Sequence, residues 1–222
     1  MREVADGIFH LSLAPRASVN AYLLGDVLVD AGAALQGRRV LKALQGRAVA
    51  RHVVTHAHVD HAGGSRRVVD ELGIPVAGGI ADVEALHAGR TRVRPMPRIV
   101  GAVAERVSAY PALPEATGLE PGSEVGPGFV VLETPGHSAG HISLWRERDG
   151  VLVCGDVVNT MNLLTTRAGI QEPPTAFTPD PARNRESIRT IAALEPRLVL
   201  AGHGPPVRDP SALATFAAGL VD

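Results

Sequence analysis

The sequence predicts an α+β fold in which two mixed β-sheets pack face to face and helices cover their outer surfaces. One observation behind this prediction is the order of the segments, since short strands are followed by helices and the series then repeats. Another is the composition, because 45% of the 222 residues are hydrophobic and 20% are charged, as in ordinary globular proteins. A chain of this length is expected to form one domain over residues 1–222.

The first half of the chain opens with three short segments that have the residue types of strands, at 8–13, 19–24 and 27–30. The turn residues Gly25 and Asp26 join the last two, so we expect an antiparallel meander of three strands. The hydrophobic spacing and the glycine and proline positions then predict a helix over 33–44, a strand over 52–55, a helix ending at Gly73 and a strand over 75–77.

The second half repeats this organisation, with two less regular regions between the elements. Strands are predicted over 129–133, 141–147, 151–154 and 198–201, and helices are predicted to begin at Pro181 and Pro210, each after an aspartate N-cap. Residues 80–128, which hold scattered prolines and arginines, are expected to be an inserted region of helix and loop. Residues 159–179 are expected to be a long functional loop, because structureless stretches of that length are uncommon in compact domains.

The composition excludes several classes of function. The 22 basic and 23 acidic residues give a net charge of −1, and 3% of the residues are aromatic, so neither a phosphate-tracking surface nor a stacking platform for nucleic acid is expected. Cys154 is the single cysteine, which excludes an internal disulfide and a cysteine-based zinc finger. Glu3 and Asp6 interrupt any apolar leader, and no run of 18 apolar residues occurs, so a cytoplasmic protein without membrane contact is expected.

A histidine-rich motif, THAHVDHAGG, spans residues 55–64. His56 and His58 are two residues apart at the end of an extended segment, so their imidazoles point to the same side, as the ligands of one metal ion do. The chain then turns into a helix, which re-aims Asp60 and His61 towards a neighbouring point. The glycines that follow allow this turn, and the motif as a whole predicts a metal site.

Three later residues repeat this arrangement at strand ends, each next to a glycine. They are His137 in TPGHSAGH, Asp156 in VCGD and His203 in AGHGPP. Together with the first motif, their order and local context resemble the ligand pattern of the metallo-β-lactamase superfamily. The resemblance extends over nearly the whole chain, and includes the segments NAY at 20–22 and VDAG at 29–32.

This resemblance implies a four-layer αβ/βα sandwich with a dinuclear metal site between the two sheets. His56, His58 and His137 would bind the first ion, Asp60, His61 and His203 the second, and Asp156 would bridge them. The donors suit two Zn²⁺ ions per chain, and iron or manganese is compatible with them. A hydroxide shared by the ions would attack the substrate, and Asp60 would hold or relay its proton.

The branch that the sequence resembles is that of the hydroxyacylglutathione hydrolases and acyl-homoserine lactonases. The best-known zinc β-lactamases have Arg at the place of His61 and Cys at the place of Asp156, and neither occurs here. The expected reaction is therefore hydrolysis of a small ester, thioester or lactone, with a small molecule as the partner. A β-lactam hydrolase and a mononuclear-iron persulfide dioxygenase are the alternatives, together with a metal-binding domain without catalysis. The sequence after Asp156 lacks the Gly-Cys-Gly-Arg context expected of the dioxygenase branch.

Other residues are candidates for supporting or substrate-binding roles. Asp30, Thr55 and His141 would orient ligands or support them. A hydrophobic pocket wall would comprise Met161, Leu163, Leu164 and Phe177, with Tyr110 joining it if the 80–128 region folds over the site. The alternative for the four hydrophobic residues is that they anchor the loop to the core. Arg92, Arg94 and Arg98 are either solvated or recognise a carboxylate or phosphate. The oligomeric state is not predicted.

Overall fold

The computed structural model of the chain describes residues 1–91 and 108–221, which form two main β-sheets and six α-helices. The larger sheet contains β1 (Arg2–Ala5), β2 (Ile8–Ser12), β3 (Asn20–Leu24), β4 (Val27–Val29), β5 (Arg51–Val54), β6 (Val76–Gly79) and β7 (Thr117–Leu119), which lie side by side in chain order. Neighbouring strands are antiparallel from β1 to β4 and parallel from β4 to β7, so the sheet is mixed.

The smaller sheet contains β8 (Val130–Glu133), β9 (Ile142–Arg146), β10 (Val151–Gly155) and β13 (Leu198–Ala201). These strands lie in the order β13, β10, β9, β8. A separate hairpin consists of β11 (Asn159–Met161) and β12 (Ala168–Gln171). The helices are α1 (Gly37–Ala43), α2 (Val59–Ala62), α3 (Ser65–Leu72), α4 (Val83–Ala88), α5 (Pro181–Ala192) and α6 (Pro210–Ala218). Within the described ranges, no helix is long and apolar enough to cross a lipid bilayer.

The two sheets pack against each other through a shared hydrophobic core, and helices cover both outer faces. Tyr22 and Leu24 of β3 belong to the core between the sheets, whereas Leu23 faces the layer of α1 and α3. This division follows from the two-residue period of a strand, and it explains why β3 is buried throughout. On the other side, α5 and α6 pack their apolar faces on the smaller sheet. The expected four-layer sandwich is therefore confirmed.

Several element boundaries agree with the turn and cap residues in the sequence. The carboxylate of Asp180 accepts a hydrogen bond from the Arg183 amide at 3.0 Å, and Pro181 starts α5. Asp209 caps α6 in the same way. Gly73 ends α3 with a φ of 64°, a left-handed conformation that glycine adopts without steric cost.

Three expectations need correction, one about the meander and two about the less regular regions. The meander has four strands, because β1 pairs with β2 at the edge of the sheet. The 80–128 region is partly integral to the fold, since it contains α4 and its strand β7 pairs with β6. The 159–179 loop contains the β11–β12 hairpin. These strands are short, and their sequences lack the alternation of hydrophobic and polar residues by which strands are recognised.

One end of the sandwich is closed by buried polar contacts between the sheets. Asn20, which is fully buried at the start of β3, donates from Nδ2 to the carbonyl oxygens of Ala201 at 3.0 Å and Gly204 at 2.8 Å. The Tyr22 hydroxyl donates to the same Ala201 oxygen at 2.7 Å. These bonds join β3 of the larger sheet to the end of β13, directly beside His203.

Replacing Asn20 with leucine is expected to lower the free energy of unfolding. Leucine leaves the buried carbonyl of Gly204 and the ring of His10, which bonds the Asn20 oxygen at 2.7 Å, without these partners. An unsatisfied buried polar group costs about 1–3 kcal/mol, so a loss of about 2–4 kcal/mol is expected in urea unfolding of the Asn20→Leu variant. The control is Gln45→Leu on an exposed turn, and equal stability of the two variants would contradict the prediction.

Candidate metal centre

The seven predicted ligand residues meet at one edge of the interface between the sheets. His56 and His58 follow β5 of the larger sheet, and Asp60 and His61 lie on α2 directly after them. The other three follow strands of the smaller sheet, with His137 after β8, Asp156 after β10 and His203 after β13. The carboxyl ends of these strands lie together, which brings residues far apart in sequence to one point.

The side chains form three overlapping groups of potential metal ligands, and within each group the ligand atoms lie within 4.8 Å of one another. The groups are His56, His58 and His137; His56, His61 and Asp156; and Asp60, His61 and His203. The first and third coincide with the two expected sets, and the second places Asp156 between them. The structure thus brings all seven residues together, while their role as ligands remains a prediction.

The buried donor atoms fit a bound cation. Five of these atoms are inaccessible to solvent and have no hydrogen-bond partner: Nε2 of His56, His58, His61 and His137, and Oδ1 of Asp156. A buried polar atom without a partner costs about 1–3 kcal/mol, so a cluster of five is unfavourable unless something binds it. Imidazole nitrogens and carboxylate oxygens are ligands of zinc, iron and manganese, and the residues present fit such an ion.

The second nitrogen of each of four imidazoles contacts a protein oxygen, which fixes the ring so that Nε2 faces the centre. The Nδ1 contacts are His61 with Asp30 Oδ2 at 2.8 Å, His56 with Thr55 Oγ1 at 3.1 Å, His137 with Thr178 Oγ1 at 3.1 Å and His203 with the Ser18 carbonyl. These contacts within the protein therefore orient the four rings.

Asp30 links the motif to the end of β4. Its backbone has a φ of 58°, a left-handed conformation that aspartate tolerates better than most residues. Its Oδ1 accepts the Thr55 amide at 2.8 Å, and its Oδ2 accepts from the Thr55 hydroxyl and from the His61 ring, both at 2.8 Å. Asp30 and Thr55 thus have the contacts expected of residues that orient ligands.

His141 also lies where a supporting residue would lie. Its Nε2 accepts the backbone amide of Asp156 at 3.0 Å, and its Nδ1 lies 2.9 Å from the Thr134 hydroxyl. Burial lowers the pKa of His141 to about 4, so the ring is neutral at pH 7 and can accept this bond. Both ring nitrogens are engaged, and His141 holds the loop that carries Asp156.

Two glycines are required for space. A Cβ on Gly64 would lie 2.3 Å from the Ala31 carbonyl oxygen, although its φ of −80° suits any residue. A Cβ on Gly202 would lie 2.2 Å from Asp156 Oδ1 and 2.4 Å from the His61 ring. The first glycine lets the motif pack against the end of β4, and the second keeps the metal centre open.

The electrostatics of the two predicted ligand sets differ. Burial lowers the pKa values of His56 and His137 well below the usual range, and neighbouring histidines lower them further, so both rings are neutral at pH 7. Burial opposes protonation of His61 as well, but Asp156 and Asp30 outweigh it and raise the pKa of His61 to about 9. In the same way Asp156 raises the pKa of His203 against the effect of burial.

The different protonation of the two sets at pH 7 predicts that zinc binding to the second set releases protons. At pH 7 the ion that enters the first set meets neutral imidazoles, whereas the second ion must displace protons from His61 and His203. The affinity for the second equivalent should therefore rise between pH 6 and 9, by about tenfold per pH unit for each displaced proton. Calorimetry in buffers of different ionisation enthalpy measures the number of protons released by each zinc equivalent. Equal proton release by the two equivalents would contradict the prediction.

A cavity of about 260 Å³ opens over the candidate metal centre. Its floor contains His58, Asp60, His137, Asp156 and His203, and its walls contain Val59, Thr91, Ser108, Leu163, Pro174 and Phe177. Leu163 and Phe177 are partly exposed, at 38% and 51%, so both can contact a ligand. The structure places both side chains at the cavity wall, and their contact with a substrate stays a prediction.

The other three residues expected at the pocket wall lie elsewhere. Met161 is buried at the end of β11, and Leu164 is 95% exposed at the tip of the hairpin, because the chain reverses there. Tyr110 lies in a hydrophobic cluster, and its hydroxyl lies 3.3 Å from the Ala57 carbonyl oxygen and 3.4 Å from that of Ala85. Arg92, Arg94 and Arg98 fall outside the described residues.

Tyr110→Phe is therefore expected to leave catalytic turnover within about twofold of the original protein. The variant loses a weak buried hydrogen bond to the backbone, so the free energy of unfolding should fall by about 1 kcal/mol. Steady-state kinetics and urea unfolding test both parts. A loss of turnover much larger than this, at unchanged metal content, would place the phenol in the reaction.

Some functional contacts are not apparent in the sequence. Thr178 and the Ser18 carbonyl, which orient His137 and His203, lie 41 and 185 residues away from their partners. Asp82 is a buried carboxylate that bonds the loops of the centre. It follows a strand closely, as Asp30 and Asp156 do, but a lone aspartate at that place is usually a cap.

The chain is similar in sequence to a known family and to proteins within it. A family model described as "Metallo-beta-lactamase superfamily" matches residues 14–203. The probable metallo-hydrolase YflN of Bacillus subtilis (strain 168) is 33% identical over 175 residues. This match covers 70% of the chain and 64% of the relative, so the chain spans less than two thirds of the length of YflN.

Solved structures with similar folds include two that cover almost the whole chain. TTHA1623, crystallised in a di-iron-bound form, is 27% identical with a TM-score of 0.69, and the match covers 94% of this chain and 96% of that one. BLEG-1, a B3 metallo-beta-lactamase, is 26% identical with a TM-score of 0.68, and the match covers 90% and 93%.

Proposed function

The chain belongs to the metallo-β-lactamase superfamily, and on that premise we propose that it is a zinc-dependent hydrolase that cleaves a small ester, thioester or lactone. The observation that carries the proposal is the cluster of buried, unpartnered ligand atoms at the floor of an apolar-walled cavity. The cluster fits metal ions, and the cavity has room for a small substrate beside them.

Seven residues would hold two zinc ions. His56, His58 and His137 would bind one, Asp60, His61 and His203 the other, and Asp156 lies within reach of both sets. When bound, zinc lowers the pKa of a water towards neutrality and polarises the carbonyl group of a substrate. Iron is a second candidate, because TTHA1623 at 27% identity is described in a di-iron-bound form.

Asp60 is the residue proposed to hold and move the proton. Its side chain is 36% exposed at the cavity floor, and His203 Nε2 lies 3.3 Å from its Oδ2. Burial alone would raise the pKa of the Asp60 carboxyl, but His61 and His203 hold it below the usual range, so the group is ionised at pH 7. It would accept a proton from the attacking water and return it to the leaving alcohol or thiol as the acyl bond breaks.

The cavity lining supports a substrate with a small hydrophobic acyl group. Val59, Leu163, Pro174 and Phe177 provide an apolar surface, and among the described residues that line the cavity there is no lysine or arginine. An ester or lactone with a short hydrophobic acyl chain suits these walls best.

The remaining features of the proposal concern partners and setting. We propose a small-molecule substrate, no nucleic acid or membrane partner, and a cytoplasmic location. The net charge of −1 supports the exclusion of nucleic acid. A β-lactam hydrolase is the second candidate function, because BLEG-1 is 26% identical over most of the chain.

Metal analysis and a substrate panel test the proposed function. The purified protein is expected to hold two zinc equivalents and to hydrolyse chromogenic esters, thioesters or lactones. Asp156→Ala should lower kcat/KM more than about 100-fold, since a ligand shared by the sets supports several kcal/mol of catalysis. Asp149→Ala, which changes a carboxylate that bonds Arg146 near a distant turn, is the control and should retain activity.

The alternatives give different results in the same assays. Preferential turnover of β-lactams would replace the proposed substrate class. One iron per chain together with oxygen consumption would contradict the proposal and indicate a dioxygenase. A protein that holds both metals and is inert on the whole panel, β-lactams and phosphodiesters included, would be a metal-binding domain.

A further inference from the structure

Asp82 is a buried carboxylate that lies outside the predicted ligand sets. It ends a short 3-10 turn, Ile80–Asp82, which follows β6, and its exposure is 2%. Three groups donate hydrogen bonds to it: the Ala57 amide to Oδ2 at 2.9 Å, the Ser138 hydroxyl to Oδ2 at 2.6 Å and the Gly140 amide to Oδ1 at 2.8 Å. Both of its oxygens are thus used within the protein.

The three donors belong to the two loops that carry the first ligand set. Ala57 lies between His56 and His58 in the loop after β5, and Ser138 directly follows His137 in the loop between β8 and β9. These loops come from different sheets, and one carboxylate bonds both. The separation of His137 from the other two histidines therefore depends on Asp82.

We propose that Asp82 is a positioning residue that sets the geometry of His56, His58 and His137 and thereby the zinc affinity of that set. The inference rests on the metal site in the proposed function, and it does not depend on which substrate is hydrolysed. Asp82 does not line the cavity, so its effect is transmitted through the loops that it joins.

The backbone around Asp82 is shaped for this contact. A Cβ on Gly79 would lie 1.9 Å from the Gly140 carbonyl oxygen, and a Cβ on Gly140 would lie 2.2 Å from the Asp82 amide nitrogen. Glycine at both places lets the end of β6 touch the loop that carries His137, so the short aspartate side chain can reach both loops. The Ile142 amide also donates to the Thr55 carbonyl at 2.9 Å, which closes the same seam between the sheets.

Asp82 bonds the loops of the first ligand set but not those of the second, and this makes the inference specific. Asp60, His61 and His203 are oriented by other groups, among them Asp30 and the Ser18 carbonyl, and none of the three donors to Asp82 adjoins them in sequence. Loss of the Asp82 carboxylate should therefore weaken zinc binding at the first set and spare the second. A general loss of stability would weaken both.

The test is a zinc titration of Asp82→Asn against a competing chelator, with the two sets separated by background variants. In the His203→Ala background, which retains the first set, Asp82→Asn should weaken zinc binding about 10- to 100-fold, as is usual for groups that orient metal ligands. In the His58→Ala background, which retains the second set, the change should stay within about threefold. Cobalt substitution adds a spectroscopic readout, because a changed ligand geometry shifts the visible absorption of Co²⁺.

A control variant and a substitute variant complete the test. Asp149→Asn weakens the contact with buried Arg146 far from the centre, and it should lower stability without weakening zinc binding at either set. If Asp82→Asn does not fold, Ser138→Ala replaces it and removes one of the three donors, with an expected loss of about 2- to 10-fold at the first set.

An unchanged first-set affinity in the folded variant, or equal weakening of both sets, would overturn the inference. These titrations contain no substrate, so a failure of the hydrolase proposal leaves their result intact. Conversely, if the protein hydrolyses esters but its Asp82→Asn variant binds zinc equally well, the proposed function stands and this inference fails.

Discussion

The constraint on which the structure depends is the burial of several imidazole nitrogens and a carboxylate oxygen that have no hydrogen-bond partner within the protein. The sheets hold these atoms together by the packing of their shared core, with Tyr22 and Leu24 on one side and Leu144 and Val153 on the other. Each fully buried side chain of this kind contributes about 1.5–3 kcal/mol, and a core of many such residues offsets the cost of a few unsatisfied polar atoms. The hydrophobic core and the metal centre are therefore parts of one energetic arrangement.

Two buried aspartates bond different parts of the histidine-rich motif. Asp30 contacts the His61 ring and the Thr55 hydroxyl, which in turn contacts His56, whereas Asp82 accepts the backbone between His56 and His58. One acts on ring orientation and the other on loop position. Both accept only hydrogen bonds from donors in the protein, so they add negative charge near the centre while their oxygens remain unavailable as ligands. Asp156 differs from both because its Oδ1 has no hydrogen-bond partner and lies 3.5 Å from His61 Nε2.

Local signals in the sequence explain which features could be predicted. The strand over 198–201 and the helix ending at Gly73 are recognisable because hydrophobic spacing and a glycine act within a few residues. The seven candidate ligand residues could be picked out as well, since they lie at or just after strand ends and adjoin one another or a glycine, and their role as ligands stays a prediction. Tyr110 and Asp82 could not be placed, because their positions depend on loops that meet only after the sheets have packed. The β7 strand escaped recognition since Thr-Gly-Leu carries little pattern of its own, and its pairing with β6 is a tertiary effect.

The two candidate ligand sets differ in exposure and in protonation. The first set consists of buried imidazoles, and the loops that carry them are joined by a carboxylate away from the cavity. The second set contains Asp60, which is partly exposed to the cavity, and histidines whose pKa values are raised by neighbouring carboxylates. The set in which imidazoles carry protons at pH 7 therefore also contains the side chain that is exposed to the cavity. In the proposed hydrolase, zinc would displace the protons of His61 and His203 when it binds, so Asp60 would be the group of this set that accepts and returns a proton during turnover.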